Sequence, residues 1–94
     1  MSRVALVTGA ARGLGRELGP QNIRVNAIAP AVLETDMVRG QLTPELRARV
    51  LSRIPLGRLA SADEVTKLAL FLCSDAASFI TGETVAVDGG FLRT

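Results

Sequence analysis

Three glycines near the N-terminus have the spacing of a phosphate-binding turn. Gly9, Gly13 and Gly15 follow the apolar run 4–7, and Arg12 lies among them. The first glycine permits a tight turn after a strand, and the others let backbone N–H groups approach a pyrophosphate. A helix that starts in such a turn attracts anions to its N-terminus. Taken alone, the pattern is as typical of an ordinary turn as it is of a dinucleotide site.

The composition excludes several other kinds of site. The 94 residues include no histidine, tyrosine or tryptophan and one cysteine, Cys73. A histidine base, a tyrosine acid, a histidine-ligated metal and an internal disulfide therefore cannot be built from this sequence. A net charge of +2, with three phenylalanines as the only aromatic residues, does not indicate a nucleic-acid partner. No apolar run approaches the ~20 residues of a membrane span, so we expect a cytoplasmic protein without a membrane partner.

Few elements are available to position these residues. A helix that begins at Arg16 must stop at Gly19, because a proline follows. We expect a single α/β domain over residues 1–94, a truncated Rossmann-like fold with about three parallel strands and two or three helices. The continuous apolar run 4–7 is typical of a strand that is buried in a parallel sheet, and residues 23–29 and 84–87 are the second and third predicted strands.

Two further helices have clear N-terminal signals. Thr43 precedes a proline and Glu45, which places a cap before an acidic first turn. Ser61 and Glu64 have the spacing of a capping box, and apolar residues follow at helical spacing. Cys73 lies near the end of this helix, and we expect it to be a small, buried apolar residue. We expect the arginines of this region to form a solvated face: Arg47, Arg49, Arg53 and Arg58.

Several ordered motifs resemble those of the short-chain dehydrogenase/reductase family, most closely its 3-oxoacyl-acyl-carrier-protein reductases. Segment 8–15 resembles the family's cofactor loop, and segments 22–30 and 34–37 resemble its sixth strand and nicotinamide loop. The resemblance implies a Rossmann-like fold and an NAD(P)-dependent oxidoreductase ancestry. Later segments resemble the family's substrate-side loop, last long helix and last strand: 54–58, 62–65, 71–75, 80–83 and 87–90.

The resemblance also implies which residues touch a cofactor. Arg12 lies where some relatives have a basic residue near the 2′-phosphate, which favours NADP over NAD. Ala31 replaces a glycine that is usual in the family, and an alanine at positive φ there would cost roughly 1 kcal/mol. Because the helix after Gly15 is short, we expect cofactor affinity to be weak or lost. The cofactor-binding residues implied are Gly9, Arg12, Gly13, Leu14, Gly15, Pro30, Leu33 and Thr35.

The resemblance falls in two blocks with a large internal deletion between them. Residues 1–15 resemble the first strand and glycine loop of the family, and residues 17–94 resemble its final third. The family segment missing between them contains the catalytic serine and the Tyr-x-x-x-Lys pair, so we assign no catalytic residue. The one lysine, Lys67, lies within a helix where it does not match the catalytic lysine, and we expect it to be solvated. We therefore expect an inactive chain.

The deletion also affects association. The first strand must pair directly with the second or leave its edges exposed, and exposed apolar surface predicts self-association. The last helix and strand, which commonly form subunit contacts in the family, are both retained. Two alternative roles follow: a weak dinucleotide-binding module, or an interaction chain in a homo-oligomer or in a hetero-oligomer with a full-length relative.

Overall fold

A three-stranded parallel sheet forms the centre of the computed structural model, which describes residues 3–7, 10–31, 33–34 and 40–91 except the Val7 side chain. The strand order is β1-β2-β3, so β2 is the central strand. The predicted α/β class with three parallel strands is confirmed, and β1 pairs directly with β2. The strands span β1 Arg3–Val7, β2 Ile23–Pro30 and β3 Thr84–Val87.

Three α-helices that lie wholly within the described residues connect and cover these strands. The first lies between β1 and β2, and the other two lie between β2 and β3. Short 3₁₀ turns follow the first and the third helix, at residues 19–21 and 75–77. The helices span α1 Ala11–Leu18, α2 Pro44–Ser52 and α3 Ala62–Cys73.

The start of α1 differs from the prediction. The helix begins at Ala11 rather than Arg16, so Gly13 and Gly15 are helical residues. Each glycine disfavours a helix by roughly 1 kcal/mol relative to alanine. Burial of Ala11 and Gly15 against the rest of the fold offsets this cost, and such tertiary packing is not visible in local propensity. The helix ends at Gly19, as predicted.

The caps of α2 and α3 are as predicted. The Thr43 hydroxyl accepts a hydrogen bond from the Leu46 N–H at 3.1 Å. At α3, the Ser61 hydroxyl accepts from the Glu64 N–H at 3.3 Å, and the Glu64 carboxylate accepts from the Ser61 N–H at 2.9 Å. These bonds satisfy donors that a helix N-terminus otherwise leaves unpaired.

Strand β2 supplies the centre of the core. Val25 and Ala27 are fully buried on one face, while Arg24 and Asn26 are buried on the other, as the alternation of a strand requires. Leu72 of α3 is buried near the Arg24 side chain, which donates to the Leu72 carbonyl. The other buried apolar residues surround this centre: Ala11, Ile54, Leu59 and Ala77.

Candidate functional site

The N-terminus of α1 has backbone donors that no side chain caps. The first intrahelical hydrogen bond runs from the Leu14 N–H to the Ala10 carbonyl at 3.2 Å. The N–H groups of the three preceding residues therefore have no acceptor within the helix. Ala10 provides no side-chain cap, and the first turn of α1 contains no acidic residue. This arrangement suits an anion, because both the free donors and the helix dipole attract negative charge.

The residues of this turn differ in exposure. Arg12, Gly13 and Leu14 are exposed, and a Cβ added to Gly13 would meet no described atom within 4 Å. The space beside Gly13 is therefore open. Gly9, the first glycine of the motif, lies outside the described residues.

Gly15 is buried and faces the turn that precedes β3. A Cβ on Gly15 would lie 2.8 Å from both the Cα and the N atom of Gly82 and 3.1 Å from the Thr81 hydroxyl. That hydroxyl accepts a hydrogen bond from the Val25 N–H at 3.0 Å. The third glycine thus permits close packing of α1 on the 80–83 turn, which is the packing role expected of it.

Asn26 holds the 80–83 turn against β2. Its side chain is fully buried; Nδ2 donates to the Ile80 carbonyl at 2.9 Å, and Oδ1 accepts from the Glu83 N–H at 3.1 Å. The Gly82 N–H donates to the Val25 carbonyl at 2.7 Å. Both polar atoms of the buried amide therefore help to fix the turn that α1 packs against.

Arg24 holds the end of α3 in a similar way. Its guanidinium donates to the carbonyls of Leu72 at 2.9 Å, Ser74 at 3.1 Å and Ile80 at 3.3 Å. A cation that donates to the last carbonyls of a helix satisfies unpaired acceptors and complements the dipole. Neither Arg24 nor Asn26 was among the predicted site residues. The available signal was two polar residues at alternate positions of an otherwise apolar strand.

The segment after β2 lies at the same sheet edge as the α1 N-terminus, because the carboxyl ends of parallel strands meet there. Pro30 ends β2 and is exposed. Ala31 donates its N–H to the Val87 carbonyl at 3.1 Å and does not adopt a positive φ, so the expected strain at this alanine is wrong. Leu33 forms an isolated bridge with Ala60. Thr35 lies outside the described residues.

Two of the arginines predicted to be simply solvated are in ion pairs. Arg47 is half-buried, and its Nη2 lies 2.9 Å from an oxygen of Glu34. Arg58 contacts both oxygens of Glu64, at 2.7 and 2.8 Å. The pKa of Glu64 is lowered from its ordinary 4.5 to about 2. The hydrogen bond from Arg58 is the largest cause, and the hydrogen bond from the Ser61 N–H is the second.

The prediction for Lys67 is confirmed, whereas the prediction for Cys73 is wrong. The Lys67 ammonium is exposed, as expected, and lies 3.0 Å from the Asp63 carboxylate, which raises the pKa of Lys67. The expectation that Cys73 is buried is wrong: its thiol is exposed. Leu72 takes the buried position at this end of α3, and the next residue points away from the core because successive residues turn by about 100° around a helix.

In the described part of the chain, no group of three histidine, cysteine, aspartate or glutamate side chains is arranged to hold a metal ion. None of the helices that can be described is long and apolar enough to span a bilayer.

Comparison with known proteins identifies the family. The profile of the family described as enoyl-(acyl carrier protein) reductase matches residues 2–92, which is nearly the whole chain. The chain belongs to the short-chain dehydrogenase/reductase family. The chain is 48% identical over 82 residues to the 3-oxoacyl-[acyl-carrier-protein] reductase FabG of Aquifex aeolicus, covering 87% of this chain and 33% of that protein. It is 51% identical over 81 residues to an L-xylulose reductase of Caenorhabditis elegans, covering 85% and 32%.

Solved structures of this oxidoreductase family share the fold. A 3-oxoacyl-[acyl-carrier protein] reductase from Brucella melitensis superposes with a TM-score of 0.84 at 43% identity, covering 92% of this chain and 32% of that one. A 7α-hydroxysteroid dehydrogenase, solved with NADH and 7-oxo glycochenodeoxycholic acid, gives a TM-score of 0.80 at 39% identity, covering 89% and 33%. The fold is therefore Rossmann-like, and the chain spans about a third of the length of the curated relatives it matches.

Proposed function

We propose that this member of the family is catalytically silent and retains a weak site for a nicotinamide dinucleotide, with NADP preferred over NAD. The observation that carries the proposal is the N-terminus of α1, where free backbone N–H groups lie beside the exposed Arg12 and the open space at Gly13. When bound, such a cofactor supplies a hydride. In this chain α1 would hold the pyrophosphate, and Arg12 would attract the 2′-phosphate.

The absence of catalysis follows from the residue types. The family's proton transfer uses a tyrosine, and this sequence has neither a tyrosine nor a histidine to replace it. The one lysine, Lys67, is bonded to Asp63 and is 74% exposed. Loss of a general acid lowers a rate by roughly 10²- to 10⁴-fold. The family segment that is missing here also contains the catalytic serine. We therefore expect no measurable reduction of a carbonyl.

Weak binding follows from the length of α1 and from the nicotinamide segment. The helix has eight residues and ends at Gly19. Only about two helical turns therefore contribute to the dipole at the anion site. Pro30 and Leu33 would border the nicotinamide, but Leu33 is half-buried and paired with Ala60. We expect a dissociation constant of about 1 mM, equivalent to about 4 kcal/mol of binding free energy.

A titration followed by ¹⁵N–¹H NMR tests the site. NADPH and NADH should shift the amide signals of residues 11–14 first. Arg12→Gln should weaken NADPH binding about threefold to tenfold and NADH binding less, because only NADPH offers a 2′-phosphate. Arg16→Gln removes the same charge from the exposed side of α1 and should change neither affinity. Micromolar binding, or no shift at ~10 mM NADPH, would contradict the proposed weak site.

Turnover is tested separately. The purified chain is mixed with NADPH and a 3-oxoacyl thioester, and the loss of absorbance at the nicotinamide band is followed together with alcohol formation. We expect neither above the rate without protein. Stoichiometric oxidation of NADPH coupled to alcohol formation would overturn the proposed silence, whatever the outcome of the binding titration.

A second candidate function is an interaction chain that associates with a second copy or with a full-length relative. The observation that favours it is the apolar surface of α3, where Leu70 is 67% exposed and Phe71 is 43% exposed. In addition, β3 pairs with only one strand among the described residues, so its other edge is open. Open edges and exposed apolar groups are the features through which chains associate.

Sedimentation and co-purification with a full-length relative test this second function. Leu70→Glu should shift any oligomer towards the monomer and reduce co-purification. Ala48→Glu, which places the same charge on an exposed position of α2, is the matched control and should have no effect. A chain that sediments as a monomer at ~100 μM and captures no relative would exclude this function.

A further inference from the structure

Strand β1 has an open outer edge among the described residues. It pairs with β2 on one side only, because the strand order of the sheet is β1-β2-β3. The Arg3 N–H donates to the Asn22 carbonyl at 3.3 Å, so the backbone groups of Arg3 and of every second residue after it face β2. The N–H and C=O groups of Val4 and Leu6 therefore point away from β2, towards any strand that lies beyond this edge.

The open edge of β1 is also apolar and little covered. Leu6 is 40% exposed, and the two residues before it are half-buried. The helix that follows β1 packs elsewhere, because Gly15 of α1 contacts Gly82 on the side of β2 that faces β3. Proteins protect an open edge with lysine, proline, a bulge or an inward charge. Residues 4–7 of the described strand contain none of these devices.

The surface area of the chain indicates that a partner covers part of it. The chain exposes 6611 Å², whereas a compact monomer of 9.9 kDa exposes roughly 5,200 Å². The excess of about 1,400 Å² is larger than the ~800 Å² that one partner contributes to a stable interface. The chain therefore has enough uncovered surface for one further interface.

A second copy of the chain matches the open edge of β1. Two β1 strands related by a two-fold axis at Ala5 run antiparallel, and the axis places Val4 of each copy opposite Leu6 of the other. These are the residues whose backbone groups point outwards, so each pair exchanges N–H···O=C bonds in both directions. Their side chains lie on one face of the sheet, where they form apolar cross-strand pairs.

The charges near the two open edges favour β1 over β3 for pairing with a second copy. At β1, the axis puts the two Arg3 residues at opposite ends of the interface, roughly 14 Å apart, which is beyond the Debye length of ~8 Å at physiological ionic strength. The same pairing of β3 about Val85 would bring Glu83 of one copy beside Asp88 of the other at each end. Neighbouring like charges oppose such pairing.

We propose that two copies of this chain form a dimer through β1, in which their three-stranded sheets join edge to edge as one continuous sheet. The occupant of the open edge is β1 of the second copy, with Ala5 at the two-fold axis. The proposal adds an interface to the interaction function described above. It depends neither on the apolar surface of α3 nor on the dinucleotide site.

Cysteine cross-linking tests where the two-fold axis lies. Cys73→Ser first removes the exposed native thiol, and Ala5→Cys is then introduced. Facing residues of a non-hydrogen-bonded antiparallel pair have Cα atoms about 4.5 Å apart, within the range of a disulfide. With copper–phenanthroline as the oxidant, Ala5→Cys should convert most of the chain into a covalent dimer. Val85→Cys, at the centre of the β3 edge, is the matched control and should remain monomeric in a denaturing gel.

Equilibrium sedimentation measures the strength of the dimer. Leu6→Lys places a charge on the open edge and should raise the dissociation constant of the dimer about tenfold or more. Leu56→Lys makes the same change at a leucine that is 70% exposed and lies outside β1, and it should leave the dissociation constant unchanged. Circular dichroism of each variant checks that the fold is retained, and the cross-link does not depend on either lysine variant.

Four results would overturn the proposal. The first is a monomer at ~100 μM, and the second is equal cross-linking of Ala5→Cys and Val85→Cys. The third is an equal effect of the two lysine variants. The fourth is a ladder of polymers, which would mean that β1 pairs with β3 of the next copy in an open array.

The outcome is separable from those of the earlier proposals. The Ala5→Cys cross-link should persist in Leu70→Glu, which tests the contacts of α3, and it should form equally with and without NADPH. A monomer that still captures a full-length relative would contradict the β1 dimer alone. A dimer that binds no NADPH would contradict the dinucleotide site alone.

Discussion

Gly15 of α1 and Gly82 of the turn before β3 are in direct backbone contact. A Cβ placed on Gly15 would lie 2.8 Å from two backbone atoms of Gly82, closer than side-chain carbons approach in proteins. Gly82 itself has φ +75°, a conformation that favours glycine. The helix that presents the free N–H groups is therefore positioned by a turn more than sixty residues later in the sequence.

Gly15→Ala should destabilise the fold by about 1–3 kcal/mol, because the new methyl group meets backbone that cannot move aside as a flexible side chain would. Gly13→Ala is the control. It lies in the same helix with open space around it, and it should stabilise the chain by up to about 1 kcal/mol. Urea denaturation of both variants measures the difference. Equal effects of the two substitutions would show that the contact does not limit the packing of α1.

Asn26→Leu should destabilise the fold by about 2–4 kcal/mol, because the Glu83 N–H loses its side-chain acceptor and the Ile80 carbonyl loses a donor. Gln21→Leu introduces the same side chain at an exposed position and should change the stability by less than about 0.5 kcal/mol. Calorimetric melts give both values. A loss below about 0.5 kcal/mol in the Asn26 variant would mean that water satisfies the freed groups.

Much of this fold follows from the sequence. Strand and cap positions were predictable because short, largely apolar segments and the Ser61-x-x-Glu64 spacing act within a few residues. The start of α1 was not predictable, because burial of Gly15 on a distant turn outweighs its poor helix propensity. For the same reason the network of Arg24 and Asn26 was missed: its partners are 48 to 57 residues away.

The candidate site was predictable to a smaller extent. The glycine spacing indicated a turn around Arg12 and Gly13 because that spacing has a local meaning, and both residues are exposed. Exposure of Cys73 could not be read from helical spacing, since spacing defines a face but not which neighbouring element covers it. The ion pair of Arg47 with Glu34 depends on where the chain after β2 returns to α2, which no local pattern encodes.

Ser61→Ala should destabilise the chain by about 1 kcal/mol, because the Glu64 N–H loses its cap and α3 begins with unpaired donors. Ser78→Ala, at an exposed position whose hydroxyl forms no hydrogen bond among the described residues, should be neutral within about 0.5 kcal/mol. The helical circular-dichroism signal during a thermal melt reports both. Equal melting temperatures would indicate that the Arg58–Glu64 bond alone holds the first turn.

Acid should weaken the fold partly through Glu64. Its pKa is lowered to about 2 in the folded chain from an ordinary 4.5, so the folded state binds fewer protons than the unfolded state between these values. The contribution of this carboxylate is therefore complete above about pH 4.5 and is lost as the pH falls towards 2.

Arg58→Gln isolates the Glu64 contribution, because it removes the bidentate partner that is the main cause of the lowered pKa. Urea denaturation across this acid range should show a shallower loss of stability in the variant than in the parent chain, with little change in the pH dependence above about pH 5. Parallel acid profiles would mean that the Arg58 bond does not persist in solution.

The hydrogen bonds from Arg24 and Asn26 also bear on how the chain folds. Each joins groups 48 to 57 residues apart, so a long loop must close before any of them forms. Contacts of such high sequence separation slow the search for the native topology. We expect β1, α1 and β2 to gain lasting order only when the segment around Gly82 arrives, so that the molecule folds in one late cooperative step rather than from its N-terminus onwards.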